Sequence, residues 1–119
     1  MADSSLNESQ SKISRARVGS RTVLTPGGAL TGKDIDMLEQ IKQELTGENR
    51  NEIILDMKSV TFIDSPLLEY LLKMHDELKS RRGYLKFINV NAICKDIFIA
   101  TRLINSFLVF NDIHEAIKN

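Results

Sequence analysis

The sequence predicts an α/β fold, with strands and helices alternating along the chain around a largely parallel sheet. Two observations carry this expectation. Ile53-Ile54-Leu55 is apolar at consecutive positions, which suits a strand covered on both faces rather than one. On either side of it, apolar residues recur at three- and four-residue steps between Gly- and Asn-containing breaks, as amphipathic helices require. At 119 residues the chain fits one domain with one core.

Residues 1–11, MADSSLNESQS, are polar and Ser-rich and are expected to form a flexible tail. Residues 12–119 are expected to form the domain. A first hairpin is predicted to turn at Gly19-Ser20, with Arg21-Thr22-Val23-Leu24 as the return strand and Pro26-Gly27-Gly28 ending it. The first helix is expected over residues 33–45, with Ile35, Leu38, Ile41 or Lys42, and Leu45 on one stripe and Gly47 as its stop. The central strand follows at residues 52–57. A second apolar patch, residues 60–63, then delivers Asp64-Ser65 to the front of a helix over residues 66–81, placing the pair at the tip of the buried central strand. That helix carries Leu68, Leu71, Leu72, His75 and Leu78 on one face and Glu69, Lys73, Asp76, Glu77 and Lys79 on the other. Gly83 ends it, and Tyr84-Leu85-Lys86-Phe87-Ile88 reads as the next strand. Asn91 can cap a third helix whose inner face would be Ile93, Ile97, Ala100 and Thr101. Leu108-Val109-Phe110 is a short last strand, and Asp112 caps a closing helix with Ile113, Ala116 and Ile117.

Composition narrows the function classes. Sixteen basic and 16 acidic residues cancel, so the basic excess of a nucleic-acid binder is missing. The one cysteine, Cys94, precludes an intrachain disulfide and points to a reducing, cytoplasmic setting. Residues 1–15 hold no apolar signal core, and no apolar run approaches the roughly 20 residues of a membrane span. His75 and His114 lie far apart with only Cys94 between them, so metal-ligand spacing is missing. Cys94 itself reads as a small buried residue. Gly27-Gly28 is too short for a phosphate loop, and Ser65 has no sequence partner that would make it a hydrolytic nucleophile. Lys79-Ser80-Arg81-Arg82 suits a solvated helix end that complements the dipole. No enzyme, cofactor or metal centre is therefore expected.

Asp64-Ser65-Pro66 is the sharpest local feature. Asp and Ser are favoured helix caps and Pro is favoured at the first helical position, so capping alone accounts for the triplet. The alternative is an exposed Ser65 hydroxyl that accepts a phosphate, adding about −1.5 to −2 charges at neutral pH, which a helix N-terminus would tolerate.

The segment ILDMKSVTFIDS resembles the signature of the STAS domain family, named for sulfate transporters and anti-sigma factor antagonists. The resemblance runs ungapped over residues 53–72. It extends upstream to Gly28-Ala29-Leu30-Thr31 and downstream through residues 85–88, residues 92–101 and Glu115-Ala116-Ile117. It implies the STAS fold, a four- to five-stranded mixed sheet with a parallel core covered by about four helices. It also implies the role of a stand-alone bacterial anti-sigma factor antagonist. In such members the Ser after the Asp is phosphorylated by a serine kinase of histidine-kinase-like ATPase fold, which doubles as the anti-sigma factor. The unmodified form binds that kinase, and a serine phosphatase resets the switch. Carried to this chain, Ser65 is the phosphoacceptor, and the partner surface gathers Thr31, Asp64, Ser65, Pro66, Leu67 and Glu69. Pro66-Leu67 stand where the family has a small residue and a glycine, so Leu67 is expected to fill the space through which a partner backbone approaches. A constitutive scaffold or assembly subunit using the same surface without phosphorylation is the alternative, and a weak homodimer is left open as a partner. A second departure is Arg102, where a glycine often follows the third helix.

Overall fold

The computed structural model describes residues 12–119, so the tail expected over residues 1–11 lies outside the described residues. The sheet has six strands, β1 (Ile13–Val18), β2 (Arg21–Leu30), β3 (Glu52–Asp56), β4 (Ser59–Ile63), β5 (Tyr84–Ile88) and β6 (Leu108–Phe110). Four α-helices accompany them: α1 (Ile35–Gly47), α2 (Ser65–Ser80), α3 (Ala92–Ala100) and α4 (Ile113–Lys118). The order is β1-β2-β3-β5-β6, antiparallel only between β1 and β2 along that path, while β4 pairs in parallel with β2. The fold class is the one the sequence predicts. The sheet has one strand more than the expected upper count, because Ser59–Ile63 forms a strand of its own.

β2 accounts for the difference. Rather than ending at Pro26-Gly27-Gly28, it runs on to Leu30. Pro26 faces Ile13 at the end of the hairpin. Beyond it, Gly27 to Leu30 takes β4 as a new partner, with a register shift between Gly28 and Ala29. Gly28 sits at φ +74, a conformation glycine adopts without strain and which lets the strand change partners.

The central strand behaves as its composition requires. Ile53, Ile54 and Leu55 are fully buried. Ile53 and Leu55 join the larger core with Leu38, Leu67, Leu71 and Leu85, whereas Ile54 packs on the other side with Ile88 and Ala116 of α4. The third helix turns a different face inward from the one expected. Cys94 and Phe98 are its buried residues, Ile97 is half-buried, and Ile93, Ala100 and Thr101 are exposed. Phe98 is drawn in by an aromatic cluster, its ring 5.6 Å from Phe87 and 5.2 Å from Phe107, and an isoleucine could not supply those contacts. The left-handed residues after α1 and α2 are Asn49 (φ 61) and Arg82 (φ 65), not the glycines expected to stop them.

A polar tie joins α1 to α2. Lys42, on the predicted apolar stripe, is buried with its ammonium between Glu39 and Glu77, and Glu39 Oε1 also accepts the Tyr70 hydroxyl at 2.8 Å. Burial, then the bond to Glu39, pushes the Tyr70 hydroxyl far above the ordinary tyrosine range. Burial alone would lower the Lys42 ammonium, but its bonds to Glu77 and Glu39 outweigh that and raise it. Both folded-state values lie above the unfolded ones. This stabilisation is therefore complete below about pH 10 and is lost as pH rises further, first through the unfolded values. Tyr70→Phe is expected to show a shallower alkaline decline than wild type when urea midpoints are compared between pH 8 and pH 11. Equal slopes would remove Tyr70 from that limb.

Candidate functional site

Asp64 follows β4, not the central strand, so the pair Asp64-Ser65 sits at the end of a strand beside β2 rather than at the tip of β3. Its backbone N donates to Leu30 O at 3.2 Å, which fixes the end of β4 on the end of β2. The carboxylate then divides its oxygens. Oδ1 accepts the Leu67 N–H at 3.0 Å and caps α2, while Oδ2 accepts the Gly32 N–H at 3.1 Å from a turn 32 residues earlier. The capping role read from the sequence is real, and the second bond makes Asp64 the tie between two loops.

That second loop is itself pinned. Gly32–Asp34 forms a 3₁₀ turn entered at Thr31, whose Oγ1 accepts the Lys33 N–H at 3.3 Å while its N–H donates to Asp34 Oδ2 at 2.9 Å. Asp34 is buried and paired with Lys12 at 3.0 Å, and the same ammonium donates to Ala29 O at 2.7 Å. Gly32 fits against the side of Pro66, where an added Cβ would lie 3.3 Å from Pro66 Cβ. Thr31, Asp64, Ser65 and Pro66 are thereby brought to one surface. Asp64→Ala removes a helix cap and a charge-assisted bond to the neighbouring loop. It is expected to cost about 2–3 kcal/mol, read as a fall in urea midpoint, with Asp64→Asn losing roughly half as much.

Ser65 is the first residue of α2 and is exposed, as are Pro66 and Glu69 one turn on. Leu67 is placed otherwise than expected. It is fully buried in the larger core, so its side chain does not occupy the outer surface beside Ser65. The apolar surface next to the hydroxyl comes instead from β4 and α3. A shallow groove lined by Phe62, Ile63, Leu68, Ile97, Ala100 and Thr101 opens directly on Asp64 and Ser65. Phe62 is 48% exposed and Ile93, at the start of α3, 57%. The sequence placed Ile93, Ile97 and Ala100 on one helix face correctly but turned that face inward.

The remaining candidates fall to the structure of their surroundings. Cys94 is buried, burial pushes its thiol up, and Sγ lies 3.6 Å from Val60 O. His75 is half-buried and His114 exposed. Among the described residues no three His, Cys, Asp or Glu side chains gather as a metal site, and no helix is long and apolar enough to cross a membrane.

The profile of the STAS domain family matches residues 12–116. No curated protein matches the chain significantly. Among solved structures, the chain resembles TM1081 of Thermotoga maritima, a candidate anti-sigma factor antagonist, with a TM-score of 0.82 at 19% identity over 92% of this chain and 94% of that one. It also resembles the phosphorylated form of SpoIIAA, a Bacillus cell fate determinant, with a TM-score of 0.66 at 18% identity over 89% of this chain and 96% of that one. A sulfate transporter family protein from Wolinella succinogenes matches as well, with a TM-score of 0.73 at 18% identity over 87% of this chain and 86% of that one. At these identities the likeness is one of fold.

Proposed function

Because the chain belongs to the STAS domain family, we propose that it is an anti-sigma factor antagonist, a cytoplasmic regulatory module that works by binding rather than by catalysis. Its unmodified Ser65 surface docks on an anti-sigma serine kinase, phosphorylation of Ser65 ends that binding, and a serine phosphatase restores it. The observation that carries the reading is an exposed serine on the first residue of α2, held in place by an Asp64 whose two oxygens are both engaged. A hydroxyl so presented is open to an enzyme, and a dianion added there meets any surface seated over it. The likeness to SpoIIAA, solved in its phosphorylated form, supports the same reading.

The test is intact mass after incubation with candidate kinases and ATP. Wild type should gain one phosphoryl group and Ser65→Ala none. A wild type left unmodified by every candidate would sink the switch. The exposed apolar groove with Phe62 favours one other reading, a scaffold or assembly subunit that uses this surface without phosphorylation. Light scattering on size-exclusion chromatography separates the two, since that reading requires association at high concentration.

A further inference from the structure

Lys12, the first of the described residues, reaches from the start of β1 to the loop that holds Asp64. Its backbone O accepts the Gly27 N–H at 2.9 Å, beside the Ile13–Pro26 pair that closes the β1–β2 ladder. Its ammonium then meets one oxygen for each of its three protons: Ala29 O at 2.7 Å, Asp34 Oδ1 at 3.0 Å and Asp34 Oδ2 at 3.1 Å. Asp34 is the buried end of the pair and is bridged to no other cation among the described residues.

These contacts interlock with those of Asp64. In extended backbone the hydrogen-bonding groups of successive residues face opposite ways, and Ala29 to Thr31 is extended. Ala29 O and the Thr31 N–H both go to the Lys12–Asp34 pair, the latter to Asp34 Oδ2 at 2.9 Å. Leu30 O and the Gly32 N–H both go to Asp64, at 3.2 Å and 3.1 Å. One four-residue segment is thus held by Lys12 and Asp34 through one set of alternate groups and by Asp64 through the other. Gly32 also packs on Pro66, the residue after Ser65. The Lys12 side chain is 31% exposed and joins neither apolar cluster, so its contacts serve this segment rather than the core.

We propose that Lys12 is a positioning residue for Ser65. Its ammonium fixes the loop from Thr31 to Asp34, that loop fixes the Asp64 carboxylate, and Asp64 fixes the first turn of α2, where the hydroxyl is presented. This role rests on Ser65 as the regulated residue and adds what keeps it ready for a partner. Without the Lys12 charge the segment must be ordered during docking. Apparent binding then weakens by the fraction of molecules that already hold the ordered form. The step after docking is unchanged, so the loss falls on KM and not on kcat.

The experiment measures ¹⁵N order parameters in wild type, K12Q, K12R, D34N and K12Q/D34N, and needs no kinase. Gly32, Ser65 and Leu67 are expected near 0.85 in wild type, as for rigid backbone, and to fall toward about 0.6–0.7 in K12Q. K12R keeps the charge and should recover most of the loss. D34N should match K12Q, and the double variant should be no looser than either, because both residues act through one pair. Ile53 to Leu55 should stay rigid in all five. I41V, which weakens the core from α1, is the control and should leave Ser65 as in wild type. Wild-type order parameters in K12Q overturn the proposal, as does a K12R no better than K12Q. With a kinase that modifies Ser65, K12Q should raise KM about twofold to fivefold at unchanged kcat, the range of a partly exposed ion pair. An unchanged KM also overturns it. If no kinase modifies the wild type, the phosphorylation reading fails and the order parameters still decide the role of Lys12.

Discussion

Leu67→Gly, which restores the family's glycine, is expected to destabilise the protein by about 4 kcal/mol rather than open its docking surface. Leu67 is among the largest fully buried side chains and belongs to the core cluster with Leu30, Leu38, Ile63 and Leu71. Removing a buried leucine costs about 2–5 kcal/mol through lost transfer and the cavity left behind, and glycine inside a helix adds about 1 kcal/mol. For a domain of 119 residues that lowers the melting temperature by more than 10 °C, at about 4 °C per kcal/mol. Denaturation midpoints measure it directly. A Leu67→Gly variant as stable as wild type, with stronger partner binding, would return Leu67 to the outer surface.

Gly83→Ala is the second large effect. A Cβ built on Gly83 would stand 1.9 Å from Asn51 O and 2.5 Å from Asn51 C, both backbone atoms with little freedom to retreat. Asn51 O also accepts the Tyr84 N–H at 3.0 Å, immediately before the Glu52–Tyr84 pair that opens the β3–β5 ladder. Relief would therefore displace the beginning of the central strand. The expected loss is about 3 kcal/mol, at the upper end for an overpacked site. Gly47 supplies the contrast, since it is helical and nothing lies within 4 Å of an added Cβ. Gly47→Ala is expected to be neutral or to stabilise by up to about 1 kcal/mol. Similar melting temperatures for the two variants would contradict the close approach at Gly83.

These two positions mark how far the sequence could be read. Both glycines suggested helix ends, and both helices do end nearby, but Asn49 and Arg82 take the left-handed conformation. Gly83 is needed because another backbone passes close to it, a contact between residues 32 positions apart that no local pattern reports. Strand β3 was legible because its unbroken apolar run has only one economical environment. β4 was not, since two residues separate it from β3 and only Val60 and Ile63 of its five are buried. On α3 the difficulty was excess: isoleucines occur on several sides of the helix, and the aromatic contacts of Phe98 decided which side turned in. At the site, the cap made by Asp64 was legible from neighbouring residues. Its bond to Gly32 was not, nor was the apolar groove that β4 and α3 build together.

The change of partners along β2 has a consequence for how the molecule breathes. Its first half is hydrogen-bonded to β1 and β3, within the continuous sheet, while its last four residues have β4 as their strand partner, through an irregular ladder, and are otherwise tied to Lys12 by Gly27 N and Ala29 O. Local opening can therefore release the end of β2, β4 and the head of α2 without separating β3 from β5. In native-state hydrogen exchange, amides around Ala29, Leu30 and Ile63 should exchange through such sub-global openings, well before those of Ile53, Ile54 and Leu55. Ser65 thus rides on a part of the sheet that can loosen while the central ladder stays closed.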